Sequence, residues 1–241
     1  MLKTLHVMKD PFGLAIHDFY RKGKAPDIKV DSNYTKDEHI KVSYFFREES
    51  EMPEIEKTAL KRCKGKILDV GAAAGCHSII LQKKGFNITA LDKSELATEV
   101  MKKRGIQKVI CSDIFEYKES TFDTILLLMN GTGIGGTLSG LKDFFRHLKT
   151  LLSENGQILI DSSDIKYLFE EDDGSFWIDL ANDKYYGEMK YKVKYKNQED
   201  EFDWLFIDYN LLQKLTLETG LKCELAASGN HYDYLAKISV K

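Results

Sequence analysis

The chain is short of several things, and each shortage narrows what it can be. Only three of its 241 residues are proline. No low-complexity linker or internal repeat interrupts it, so neither an interdomain hinge nor a solenoid is indicated. The four cysteines, Cys63, Cys76, Cys111 and Cys223, contain no Cys-x-x-Cys pair, which argues against a structural zinc site and suits reduced thiols used in packing. No metal ligands are expected, because histidines and cysteines do not cluster. No apolar run approaches the roughly 20 residues of a membrane span, and the amino terminus has no charged-then-apolar signal segment. A charge excess is also missing: 35 basic against 38 acidic side chains leave −3, too little positive field to gather phosphate backbones or anionic lipid. The expectation is a soluble, cytoplasmic protein that does not act on membrane and for which nucleic acid is not favoured as a substrate; its oligomeric state is not legible.

What is present is a large core, with 43% hydrophobic residues, enough for one domain or one domain with an elaboration. From Gly65 to Asp161 apolar strands alternate with helical patterns: strand 66 to 70, helix 76 to 84, strand 87 to 91, helix 95 to 104, strands at 107 to 111 and 123 to 129, helix 138 to 152, strand 157 to 161. Such alternation predicts a parallel sheet with helices on both faces. Gly85 and Gly105 follow helices ending in basic residues, and Asn155-Gly156 precedes the last of these strands. A helix at 208 to 219 and strands near 221 to 227 and 232 to 240 would add an antiparallel pair at one edge.

Two segments fall outside this alternation. Residues 1 to 60 combine a helix over Leu14 to Arg21 with alternating Ile40, Val42, Tyr44 and Phe46, then Pro53 opening a helix. They read as a cap, leaving 61 to 241 as the main domain. Within that domain 164 to 207 is an insertion, with a short helix near Ile165 to Phe169 and a hairpin of Met189 to Tyr195 and Phe202 to Ile207 separated by Asn197 to Asp200. Lys190, Lys192, Lys194 and Lys196 alternate with Tyr191, Val193 and Tyr195. That pattern describes a strand with one wet and one buried face, its lysines opposite Glu199, Glu201 and Asp203, and not a nucleic-acid platform.

The most informative run is Lys66 to Gly75, KILDVGAAAG, with Asp92 standing 21 positions beyond Gly71 (92 minus 71). An apolar strand ending at a glycine turn lets backbone approach a ligand, and the second acid can hold a ribose. Ala73 in place of a middle glycine, and no glycine at 76, would serve a pyrophosphate poorly. Asp69-Val70-Gly71-x-Ala73-x-Gly75 resembles instead the first motif of class I S-adenosylmethionine-dependent methyltransferases. The resemblance extends through Ala90 to Ser94, Cys111 to Phe115 and Phe122 to Gly131, four motifs in the expected order. It implies a Rossmann-like, doubly wound, seven-stranded and mostly parallel sheet ending in an antiparallel hairpin, with the amino-terminal cap and the inserted β-hairpin added. It also implies transfer of a methyl group from S-adenosyl-L-methionine to a small-molecule acceptor by in-line displacement. A protein or RNA acceptor, or a cofactor-binding protein without transfer activity, are the alternatives.

The resemblance places the donor at the carboxyl ends of the strands. Asp69, Gly71, Ala73 and Gly75 would shape the turn against the methionine part, Asp92 and Lys93 would meet the ribose side, and Asp113 and Ile114 the adenine. Helix capping ahead of Ser94 is the other use open to Asp92. Asn130 and Gly131 open a glycine-rich loop, 131 to 136, that could bring backbone close to the sulfonium and leave room for an acceptor. Asn130 is read as the leading positioning residue, against a role in satisfying its own backbone. Asp161 could hydrogen-bond an acceptor or take its proton, while Ser163 or Asp164 would cap a helix. His77 is expected to pack or cap, and His231 is a weak candidate base. Arg47 could take the methionine carboxylate, or form a surface ion pair with Glu48 or Glu51.

Overall fold

The structure, a computed structural model, describes residues 9–171, 173, 175 and 184–241. Helix α1 (Pro11–Lys22) comes first, then strands β1 (Ile28–Asp31) and β2 (Glu38–Ile40) and helix α2 (Glu54–Arg62). The alternation follows as β3 (Lys66–Val70), α3 (Cys76–Lys83), β4 (Asn87–Asp92), α4 (Glu95–Lys103), β5 (Val109–Cys111), β6 (Phe122–Leu127), α5 (Leu138–Thr150) and β7 (Leu152–Ser163). Strands β8 (Glu188–Tyr195) and β9 (Gln198–Leu205), helix α6 (Tyr209–Glu218), β10 (Leu221–Ser228) and β11 (Asp233–Val240) complete the described chain.

Seven strands form one sheet in the order β10-β11-β7-β6-β3-β4-β5. The five from β7 to β5 run parallel, and β11 is antiparallel to both β7 and β10. The central strands are apolar on both faces because helices cover both: Ile67, Leu68, Ile125, Leu126, Leu127, Ile158, Leu159 and Ile160 are all buried. Helix α5 shows how sequence spacing becomes packing. Leu141, Phe144, Phe145 and Leu148 recur at helical spacing, are fully buried and join the main core with Ile125 and Ile158; truncating Phe144 to alanine would cost about 3–5 kcal/mol. The chain runs β3, β4, β5 to one side and then crosses back to place β6 on the other side of β3. The cleft outside the carboxyl ends of β3 and β6 is therefore the topological switch point, where open α/β sheets bind ligands.

A second sheet, in the order β2-β1-β8-β9, is antiparallel throughout. Strand β1, ahead of the boundary expected at residue 60, pairs with β8 of the insertion beyond it. A local reading cannot see a partner more than 150 residues away. The alternation at 40 to 46 also resolves differently: after β2, Val42–Phe46 is a 3-10 helix that buries Val42 and Phe45. The hairpin turn is tighter than expected, since Tyr195 pairs directly with Gln198 and Lys196 adopts φ +53°. Asn155-Gly156 lies inside β7, in an irregularity between Leu152 and Gln157, and α5 ends at Thr150 instead of 152. The opposed charges hold in register, Lys190 to Asp203, Lys192 to Glu201 and Lys194 to Glu199.

The apolar face of this sheet, with Ile28, Val30, Val193 and Tyr195, packs with α1 and with Ala74, Ala97 and Val100 of the main domain. Two carboxylates pin the arrangement. Asp10 caps α1 through the Gly13 N–H (2.7 Å) and accepts from Ser94 Oγ (2.6 Å), the residue that caps α4. Asp18, 8% exposed, accepts from Lys22 and the Tyr195 hydroxyl and pairs with Lys196 at the hairpin turn. The hydrogen bond from Lys196, followed by that from Lys22, holds its carboxyl well below the usual range.

Candidate active site

The turn after β3 carries three residues in the left-handed region, Gly71 (φ +67°), Ala73 (φ +53°) and Gly75 (φ +77°). The N–H groups of Gly71 and Ala72 donate to the Leu91 carbonyl (2.9 and 3.1 Å). A methyl group added at Gly71 would meet only Ile134 Cδ1 at 3.8 Å, whereas one at Gly75 would collide with Ile106 at 2.2 Å. Gly71 has open space where a side chain would stand; at Gly75 that space is taken by Ile106 and Met101. Asp92 accepts from the Ala73 N–H (2.8 Å) and the Ser94 N–H (2.9 Å), so it ties the turn to the start of α4. Burial raises its pKa, and the two N–H groups oppose the rise. A carboxylate has about four lone-pair sites, which leaves two for ribose hydroxyls. The ribose and capping readings of Asp92 are therefore compatible.

Asp69 lies beneath the turn. It is 2% exposed and accepts from Ser78 Oγ (2.6 Å), so it braces α3 under the turn. Ile114 likewise belongs to the main core, with Phe115 exposed beside it and packed on Phe144. Lys93 and Asp113 are exposed at the ends of β4 and β5. Asp113 caps its own loop through the Phe115 N–H (2.9 Å).

The loop after β6 is built for closure. Met129 (φ +68°) and Asn130 (φ +63°) are both left-handed, and Asp161 holds that bend by accepting from the Met129 N–H (3.1 Å) and the Gly131 N–H (3.0 Å). Burial, reinforced by the nearby Glu56 charge, pushes the Asp161 carboxyl up to about 7 against those hydrogen bonds. Asn130 donates to the Leu205 carbonyl (3.1 Å) and accepts from Ser162 Oγ (3.0 Å). Its amide locks the end of β6 to β7 and β9. The glycines, expected to leave room, are instead covered: a Cβ at Gly133 would lie 2.1 Å from the Trp204 ring, and one at Gly131 2.6 Å from Leu127. Ser163 lies within β7, and Asp164 accepts from the Lys166 N–H (3.0 Å), capping the short 3-10 helix Ile165–Phe169. His231 is exposed, its N–H donating to Asp233.

Arg47 is not on the surface and pairs with neither Glu48 nor Glu51. It is 7% exposed, and its Nη2 lies 3.0 Å from both oxygens of Glu56. Nε donates to the Tyr44 carbonyl (2.8 Å), and the guanidinium lies 3.4 Å over the Tyr44 ring. Glu56 Oε2 lies 2.7 Å from Nε2 of His77, in the first turn of α3. Burial works against charge on both Glu56 and His77, but their mutual attraction and Arg47 bring Glu56 below its usual pKa, while Cys76, Glu56 and Asp69 raise His77. Glu56 carries no signal in the sequence because helical spacing alone gives a charged residue no reason to be buried; Trp204 likewise has no local signal.

A methyltransferase-domain family model matches residues 68–160. An S-adenosylmethionine-dependent methyltransferase from Bacteroides fragilis, crystallised with S-adenosyl-L-homocysteine, is 46% identical, with TM-score 0.89 over 96% of this chain and 95% of that one. The chain belongs to the S-adenosylmethionine-dependent methyltransferase family. A sugar N-methyltransferase from Streptoalloteichus (15% identity, TM-score 0.58, 86% of this chain and 96% of that one) and a methyltransferase from Clostridium acetobutylicum (14%, 0.57, 79% and 93%) share the fold. No curated protein matches the chain.

The residues of this methyltransferase fit its donor. Arg47 Nη1 is a buried donor without a partner, an omission that would ordinarily cost about 1–3 kcal/mol and that a carboxylate would remove. Gly71 offers backbone without a side chain in the way, and Asp92 has acceptor capacity to spare. Among the described residues no group of three or more His, Cys, Asp or Glu is placed to hold a metal ion, and no helix is long and apolar enough to cross a membrane.

Proposed function

We propose that this methyltransferase acts on a small molecule held between the two sheets. The observation that carries this reading is the aromatic wall beside the loop after β6. Trp204 covers Gly133, stacks with Tyr191 (6.0 Å, 13°) and meets Phe202 (5.8 Å), and Tyr191 and Phe202 share a cluster with Met129 and Ala73. A protein or RNA acceptor favours an open, positive groove. The lysines that could supply one, Lys29, Lys192, Lys194 and Lys196, line the opposite face of the small sheet together with Asp27, Asp31 and Glu199.

The Bacteroides relative's bound S-adenosyl-L-homocysteine supports binding of the donor, which in this reading lies along the turn. Backbone at Gly71 to Gly75 lies against its methionine part, Asp92 receives the ribose hydroxyls, and Lys93 and Asp113 flank the adenine. Arg47 Nη1 takes the carboxylate. The donor, when bound, supplies a methyl group on a positively charged sulfur that an acceptor lone pair displaces in line. What the chain adds is mainly position, holding the reacting atoms end to end. In this reading Asp161, whose carboxyl burial pushes up to about 7, takes the proton of the acceptor near neutral pH. Asn130 and Gly131 fix the loop that faces the sulfur.

The experiment incubates the protein with methyl-labelled donor and a cell extract, then separates products by size. Label in the small-molecule fraction is the expected result; label confined to precipitated protein or RNA would overturn the reading.

A further inference from the structure

Arg47, Glu56 and His77 form a buried chain between the amino-terminal segment and the first turn of α3. A guanidinium carries five N–H donors in a fixed plane. Nε–H is taken by the Tyr44 carbonyl and Nη2 by Glu56, while Nη1 is buried without a partner. Glu56 in turn cannot swing, because His77 Nε2 holds its Oε2 at 2.7 Å. A flexible arginine is thereby fixed with one particular nitrogen left over. Arg47 follows Phe45 and Phe46, which share a cluster with Ala73 and Ala74 of the glycine turn, so its side chain starts beside the turn that the donor reading gives to the amino-acid end.

We propose that Glu56, held by His77, is a positioning residue that turns Arg47 so that Nη1 receives the donor's carboxylate, and that it thereby sets the site's preference for ligands carrying that end. The proposal rests on the donor reading above. A brace that merely joined α2 to α3 would leave no reason for the free nitrogen and would affect every ligand alike.

The test is calorimetric titration of the full chain with two probes, S-adenosyl-L-homocysteine and 5′-methylthioadenosine, which keeps nucleoside and sulfur but lacks the amino-acid end. Glu56→Gln should weaken the first about tenfold or more and leave the second within about twofold, as expected for loss of one oriented charged hydrogen bond. Removing one partner of a buried pair can unfold a protein, so the double variant Arg47→Met with Glu56→Gln, which leaves neither of the pair's charges behind, should show the same selective loss. Equal weakening of both ligands, or no weakening of either, would overturn the positioning role. If Asp92→Ala reduces both affinities while Glu56→Gln leaves their ratio unchanged, only this inference fails; if the unaltered protein binds neither probe, the donor reading fails with it.

Discussion

Gly71 and Gly133 stand beyond the carboxyl ends of adjacent strands, β3 and β6, and a methyl group added to each meets opposite surroundings. At Gly71 the nearest atom is 3.8 Å away, while at Gly133 the Trp204 ring lies at 2.1 Å. The first loop keeps its backbone accessible, with Asp92 securing the turn from the side. The second is richer in glycine yet filled, with Asp161 and Asn130 tying it down from β7 and toward β9. Glycine content therefore measures close approach, and only the partner that approaches distinguishes a ligand site from a packed joint.

The comparison can be broken in four places. Gly133→Ala should cost about 3 kcal/mol, the upper end for an overpacked site, because the indole is also held by Tyr191 and Phe202; thermal unfolding measures it, and adding Trp204→Ala should return part of the loss. An unchanged melting temperature would mean that the second loop is open. Asp161 comes next. Its folded pKa, about 7, lies above the usual carboxylate value of about 3.9. The folded state thus keeps a proton that the unfolded chain has lost, and its contribution to stability, present below pH 4, is lost as pH rises toward 7. Relative to Asp161→Asn, denaturant titrations should show a decline of about 2 kcal/mol across that window, a figure reduced for partial exposure. No difference in slope would remove Asp161 as a proton acceptor near neutrality.

Smaller effects are expected at the first loop. Gly71→Ala places a side chain at φ +67° and should cost about 1–2 kcal/mol in stability, with a loss of donor affinity that calorimetry would show to be the larger consequence. Ala73→Gly relieves an alanine already at φ +53° and should stabilise by at most about 1 kcal/mol. Gains of that size at Gly133 and losses at Ala73 would invert the comparison.

Much of this is legible in the sequence because it is local. The strand, turn and helix from Lys66 to Lys83, the acid at 92, and the edge pair β10 and β11 are written in consecutive periodicity and glycine placement. The lysine and acid alternation in the hairpin carries its register directly. What stays hidden depends on partners far along the chain. No property of residues 28 to 40 announces pairing with β8, so a cap and an insertion read as separate pieces. Glu56 is an ordinary helix residue until His77 and Arg47 surround it, and Gly131 to Gly136 look like free space until Trp204 arrives from β9. Asp69 illustrates the converse: its motif position is legible, but its direction, toward Ser78, is set by the packing of α3.

In the proposed reading the turn at Gly71 to Gly75, with Asp92, holds the methyl donor. Calorimetric titration of S-adenosyl-L-homocysteine into the protein and its Asp92→Ala variant tests it most directly. The expected result is binding to the unaltered chain and a loss of about 1.5–3 kcal/mol in the variant, the range for hydrogen bonds to a charged acceptor, with both proteins folded. Equal affinity in a folded variant, or a protein that binds NAD in place of the methyl donor's product, would contradict it.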